Sequence, residues 1–228
     1  MNKIILALDT TDVPQALETT KKIIDKIFTV KLGLEFFNAN GKSGIQKFNN
    51  IGVNNLMLDL KLKDIPQTVY KAIKALGDIK FGFLTIHAQG GKAMIEKAKK
   101  AASEIKSQPK ILMVTILTSL NDNDLKIMGN DSGVMQQVEH FAKIAKEMGV
   151  GVVCSGHEAK TVRKILGSNL QIFTPGVRMP NDNSDDQQRV CTPLESIKNG
   201  SDKIIMGRSL IGGDIEENLN RVTTSIKI

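Results

Sequence analysis

Leu58-Asp59-Leu60-Lys61-Leu62-Lys63-Asp64-Ile65-Pro66 is a strand that ends in charge and runs into a helix. Strand side chains alternate faces, so Asp59 and Lys61 point one way. Leu58, Leu60 and Leu62 take the opposite, helix-packed face. Asp64, with Pro66 and Gln67 behind it, reads as an N-cap with a capping-box partner at the start of the next helix. One β-α unit is therefore visible in nine residues.

Working outward, the same unit recurs eight times. The strand candidates are Lys3–Leu8, Thr29–Leu32, Asn55–Leu60, Phe83–His87, Ile111–Thr115, Gly151–Cys154, Gln171–Thr174 and Lys203–Met206. Between them lie stretches with apolar residues spaced by three and four, among them Val13–Ile27, Val69–Leu76, Ala93–Ile105 and Val138–Met148. Strict alternation of strand and helix implies a parallel sheet with helical crossovers. Eight units in 228 residues suit a closed (β/α)₈ TIM barrel of the α/β class. A doubly wound open sheet shares the alternation and is the second choice. No linker or low-complexity tract divides the chain, so residues 1–228 read as a single domain.

Composition narrows the function. Hydrophobic residues make up 41% and charged residues 24%, and with no Trp and one Tyr the core must come from aliphatic side chains and Met. Lys and Arg outnumber Asp and Glu by 31 to 24, a net charge of +7. The lysines are spread along amphipathic stretches such as Glu96–Lys106, and no aromatic-rich basic stripe suited to stacking on bases is present. The balance fits an anionic metabolite rather than nucleic acid. Cys154 and Cys191 make no disulfide framework in a chain of this length. No apolar run approaches a membrane span, and Ile4–Leu8 is too short for a signal-peptide core. A cytoplasmic location is expected, with no membrane partner.

A barrel demands active-site groups at the carboxyl ends of its strands. Polar residues fall there: Asp9, Lys31, Asp59 with Lys61, His87, Thr118, Ser155, Pro175 to Arg178, and Gly207-Arg208. Polar residues gather at strand ends in any barrel, and a paired Asp59 and Lys61 also fits a structural ion pair at the rim. Two lysines and two aspartates inside apolar strands are harder to explain that way. Ser155 also suits a turn, and Arg208 a surface turn. The segment from Pro175 to about Cys191 is polar and longer than most barrel connections, as a lid or a surface loop is. The three histidines show no ligand spacing; a hydrogen-bonding structural role is expected for His87 and exposure for His140 and His157.

The ordered set of strand-end motifs resembles the orotidine 5′-monophosphate decarboxylase family. Asp59-x-Lys61-x-x-Asp64 followed by Ile65-Pro66 is similar to its signature. Leu8-Asp9, Lys31-Leu32-Gly33-Leu34-Glu35, Thr85-Ile86-His87-Ala88-Gln89-Gly90-Gly91 and Leu117-Thr118-Ser119 follow in order. So do Pro175-Gly176-Val177-Arg178, Asp185-Asp186-Gln187-Gln188-Arg189-Val190 and Gly207-Arg208-Ser209, so the likeness runs from Asp9 to Ser209. Ile116, where relatives often carry a polar residue, and the undistinctive Met179–Ser184 depart from it. Metal-dependent sugar-phosphate enzymes of the same superfamily (3-keto-gulonate 6-phosphate decarboxylase and hexulose-phosphate synthase) share the Asp-x-Lys-x-x-Asp motif. They carry a metal-binding Glu where this chain has Lys31. A cation there opposes Mg²⁺, so the resemblance is to the metal-free branch.

That resemblance implies a cofactor-free decarboxylation of orotidine 5′-monophosphate to uridine 5′-monophosphate in pyrimidine synthesis. No cofactor fingerprint is visible to delocalise the electrons left on the ring, so fixed charges must do it. Lys61 is expected to stabilise that charge and to donate the proton, with Asp59 beside it. Lys31 and Asp64 complete an array of alternating sign, Asp64 by reaching the neighbouring subunit's site in a homodimer. Asp9 and Lys31 are expected at the ribose hydroxyls, Thr118 near the ribose across the shared site, and Ser155 at the pyrimidine amide edge. Pro175, Arg178, Gln187, Gly207 and Arg208 are expected at the phosphate end. No metal is expected. A non-catalytic sensor of phosphate ligands on the same barrel is the competing class, but it has little use for so costly a charged cluster.

Overall fold

The computed structural model describes residues 3–180, 182 and 189–226. Eight parallel strands close on themselves: β1 (Ile4–Leu8), β2 (Thr29–Gly33), β3 (Met57–Leu62), β4 (Phe83–His87), β5 (Lys110–Val114), β6 (Gly151–Val153), β7 (Ile172–Thr174) and β8 (Lys203–Met206). β1 pairs with both β2 and β8, which excludes the open doubly wound sheet. Helices follow the strands, including Val13–Ile23, Pro66–Ala75, Gly91–Ser103 and Gly133–Met148. No described helix is long and apolar enough to cross a membrane.

Alternation along the strands sorts the apolar residues into two layers. Even-numbered residues of β1 to β3, such as Leu6, Leu32 and Leu58, pack outward against the helices. Inside the barrel lie Ile5, Ala7, Met57, Phe83, Leu112, Val114, Val153, Phe173 and Ile205. The large rings sit together: the centroids of Phe83 and Phe173 are 5.0 Å apart, and Phe28 lies 5.7 Å from Phe83. The Lys203 ammonium stands 3.7 Å over the Phe28 ring, a cation–π contact at the amino-terminal end of β8. Above these rings the interior residues shrink to Ala7, Val114, Val153 and Ile205, and the space they leave opens toward the carboxyl ends of the strands.

β3 departs from a regular ladder. Leu58 pairs with Leu84 and Leu62 with Ile86, so β3 advances four residues while β4 advances two. This irregularity carries pairing to Leu62, two residues past the end expected from sequence, and the strand begins at Met57 rather than Asn55. The excess is even, so the faces are kept: Leu58 and Leu60 are buried in the outer layer and Leu62 packs against it. Lys61 lies within the irregular stretch with φ of 47°, in the left-handed region that a residue with a Cβ rarely adopts.

The expected cap at the next helix is corrected. Ile65, not Asp64, is the N-cap of Pro66–Ala75, and no side chain caps it. The Asp64 carboxylate instead accepts the Ile65 backbone N–H at 2.7 Å. With Pro66 as the first helical residue, Asp64 stands one position too early for the capping geometry.

Candidate active site

Four charged residues from three adjacent strands meet at the barrel mouth. Lys31 Nζ lies 3.1 Å from Asp9 Oδ1 and 3.5 Å from Asp59 Oδ2, and Lys61 Nζ lies 2.8 Å from the same Asp59 Oδ2. Read across β1, β2 and β3, the charges run minus, plus, minus, plus. Gly33 leaves the room for this: a Cβ there would stand 3.2 Å from Lys31 Nζ and 3.4 Å from Asp9 Oδ1. The second Asp59 oxygen accepts the Thr85 hydroxyl at 2.8 Å, and the same Thr85 Oγ1 accepts the Lys61 backbone N–H at 2.9 Å.

Burial and pairing pull against each other here, and pairing prevails. For Asp59, burial favours the neutral acid. The ammoniums of Lys31 and Lys61, with hydrogen bonds from Lys61 and Thr85, outweigh it and hold the carboxyl below its usual range. For Lys31, burial favours the neutral amine. Asp59 and Asp9 outweigh it and hold the ammonium above the usual lysine range. His87 at the end of β4 is drawn below its usual range by burial and then by the positive charges of Lys61 and Lys63, with Asp59 opposing. The hydrogen-bonded role expected for His87 is not seen: its ring has no hydrogen bond among the described residues. His140 is exposed as expected. His157 is exposed too, with Nε2 2.7 Å from the Val190 carbonyl.

A cavity of about 230 Å³ opens above the cluster. Asp9, Lys31, Asp59 and Lys61 line one side. Ile116, Leu117, Val153 and Cys154 form an apolar wall, and Thr118 and Ser119 stand at its rim. The Cys154 thiol is pushed up to about 12 by burial, so it is no nucleophile near neutral pH. Pro175, Gly176, Arg178, Gly207 and Arg208 close the remaining side, and an adjoining recess adds Ser209 and Arg221. Guanidinium groups thus gather at the end served by β7 and β8, where a dianion could be gripped. Among the described residues no group of three His, Cys, Asp or Glu side chains is placed to hold a metal ion.

Nine of the twelve residues expected at the site meet at one mouth: Asp9, Lys31, Asp59 and Lys61, with Thr118, Pro175, Arg178, Gly207 and Arg208. Ser155 is fully buried and outside the lining; its Oγ accepts the His157 N–H at 3.2 Å in a turn. Asp64 is exposed and outside the cavity of its own chain. Gln187 lies outside the described residues, as does all of Asp185 to Gln188.

Two residues were missed by sequence reading. Thr85 lies inside an apolar strand, and no local signal marks a buried Thr as the partner of Asp59. Arg189 was likewise unassigned. It pairs with the buried Glu158 and donates to the Leu117 carbonyl at 2.6 Å, joining the chain that leads into Cys191 to the loop that carries Thr118. A parallel bridge between Val177 and Cys191 fastens the base of the same long loop.

A family model described as "Orotidine 5'-phosphate decarboxylase / HUMPS family" matches residues 2–219. Orotidine 5'-phosphate decarboxylase of Ehrlichia canis is 42% identical over 229 residues, covering 100% of this chain and 99% of that protein. The enzyme of the same name from Rhodospirillum rubrum is 39% identical, covering 92% and 88%. The crystal structure of orotidine 5'-phosphate decarboxylase from Lactobacillus acidophilus superposes with a TM-score of 0.84 at 33% identity, covering all of both chains.

The Asp59 carboxyl is lowered on folding, so its contribution to stability is present above the unfolded-state value and is lost as pH falls through the folded one. The raised Lys31 contributes below its unfolded-state value and loses that contribution as pH rises through the folded one. Denaturant unfolding across pH should therefore show the wild type losing more stability than Asp59→Asn below about pH 4. Equal acid slopes would show that the lysines do not hold Asp59 ionised.

Proposed function

The chain belongs to the orotidine 5′-phosphate decarboxylase / HUMPS family, and from that premise we propose that it converts orotidine 5′-monophosphate to uridine 5′-monophosphate through the charged array at the barrel mouth. The observation that carries the mechanism is the chain of alternating charge from Asp9 through Lys31 and Asp59 to Lys61.

Decarboxylation breaks the bond between the ring carbon and the carboxylate, and the electron pair stays on the ring. Lys61, an ammonium 2.8 Å from Asp59 Oδ2, stabilises that pair through space and then delivers a proton to the same carbon. The neutral amine left behind regains its proton from solvent. Asp59 keeps Lys61 paired and aimed. Repulsion between Asp59 and the substrate carboxylate is a further contribution in this reading. Lys31 and Asp9 face the ribose hydroxyls. Arg178 and Arg208, with Gly207 and Pro175, take the phosphate, and Gln187 joins them from the long loop. Binding the remote phosphate lets its energy organise the reacting end. Ser155 is given a turn role, since it is fully buried outside the cavity lining and its hydroxyl accepts the His157 backbone N–H.

Lys31 separates this reading from the metal-dependent sugar-phosphate branch. Its ammonium stands between the Asp9 and Asp59 carboxylates, where it repels a divalent cation. We place the reaction in the cytoplasm, in keeping with two buried, free cysteines.

The functional unit in this proposal is a homodimer with shared sites. Asp64 is exposed on the rim beside the cavity, and the apolar side chains of Ile65 and Leu34 stand 67% and 49% exposed on that rim. A second copy covering these side chains would bring its Asp64 to the array.

Three measurements test the proposal. Loss of orotidine monophosphate absorbance should proceed at full rate in excess EDTA. Lys61→Ala should lower kcat by about 10³-fold or more while uridine monophosphate still binds; normal turnover by that variant would exclude Lys61 as the acid. Mixing inactive Lys61→Ala chains with inactive Asp64→Ala chains should restore turnover, because one site of each heterodimer is then intact. No recovery, with heterodimers present, would refute the shared site.

A further inference from the structure

Lys61 must place one ammonium accurately, yet its backbone is poorly suited to hold still. It lies where β3 slips against β4, and its φ of 47° is a conformation that residues with a Cβ leave unless something retains them. Its side chain is long and partly exposed, and among the described residues the Asp59 carboxylate is its one ionic partner. The Asp59 carboxylate can in turn rotate about a broad torsion. Neither the strand nor the ion pair fixes the ammonium by itself.

Thr85 meets both needs. It sits on β4, is fully buried, and its one hydroxyl bonds to both halves of the problem. Its hydrogen goes to Asp59 Oδ1 at 2.8 Å, and its oxygen accepts the Lys61 backbone N–H at 2.9 Å. A hydroxyl has one hydrogen to give, so a Thr85 that donates to Asp59 can meet the Lys61 amide only as an acceptor. The two bonds are therefore compatible and mutually orienting. With Oδ1 engaged, the carboxylate turns Oδ2 toward both ammoniums, 2.8 Å from Lys61 and 3.5 Å from Lys31.

We propose that Thr85 is a positioning residue for the reaction, its hydroxyl locking the Lys61 backbone and the Asp59 carboxylate into the arrangement that aims the ammonium at the reacting carbon. The inference rests on the reading of Lys61 as proton donor. Thr85 touches no substrate in this account; it acts through Lys61 and Asp59.

The test compares Thr85→Val, which keeps the shape and removes the hydroxyl, with Thr85→Ser, which keeps the hydroxyl. Thr85→Val should lower kcat by about 100-fold, the cost of a misplaced catalytic group, with uridine monophosphate affinity nearly unchanged. Thr85→Ser should recover most of that loss. Should the Val variant fail to fold, Thr85→Ala carries the same expectation. Wild-type kcat in the hydroxyl-free variants, or equal losses in Ser and Val, would overturn the proposal. A crystal structure of Thr85→Val supplies an arm independent of turnover: Lys61 should leave the left-handed region or draw its Nζ away from Asp59. Unchanged placement there would also overturn it. A wild-type protein inactive on orotidine monophosphate would instead overturn the functional reading and leave the structural arm to decide the role of Thr85.

Discussion

One carboxylate shared by two ammoniums organises this protein. Asp59 is nearly buried, and an unpaired charge at that depth would be expelled or neutralised. Lys31 and Lys61 keep it ionised, and it keeps Lys31 ionised in return. Removing one partner leaves the others exposed to the full cost of burial, so the set stands or falls together. Such a cluster is an expensive way to hold a barrel closed. It is an effective way to present fixed charge to a reacting anion, because dipoles and ions already in place need no reorganisation as the reaction proceeds.

The rest of the barrel makes the cluster possible. Large rings fill the interior near the amino-terminal ends of the strands, and smaller residues above them leave a cavity beside the charges. Gly33 withholds a side chain beside Lys31. The apolar wall of Ile116, Leu117 and Val153 lowers the polarity on the side facing the charges, which strengthens every interaction across the cavity. Arg178 and Arg208 stand at the other end of the cavity.

Much of this was legible in the sequence, for identifiable reasons. The strands of a parallel barrel are short apolar runs, so all eight were found, with edges off by at most two residues. Asp9, Lys31, Asp59 and Lys61 stood out because charge inside an apolar strand is unusual at any position. What depended on pairing between strands was not legible. The slip of β3 against β4 moved the end of β3, and the hydroxyl of Thr85 became important only once that slip set it opposite Asp59 and Lys61. Arg189 acquired its partners through loops that meet in space alone. Asp64 looked like a helix cap because its neighbours, Pro66 and Gln67, are ordinary first-turn residues; the helix started one step later and left it exposed.

The slip in β3 amounts to two residues, and that parity has a consequence for how the strand can change over time. Gaining or losing a single residue there would turn Asp59 or Lys61 toward the helices and a leucine toward the cavity, undoing packing and chemistry in one event. Length variation in this strand is therefore confined to steps of two, a restriction that neighbouring loops escape. The reacting end of the barrel is thus locked by arithmetic as much as by charge, while its outer connections stay free to drift.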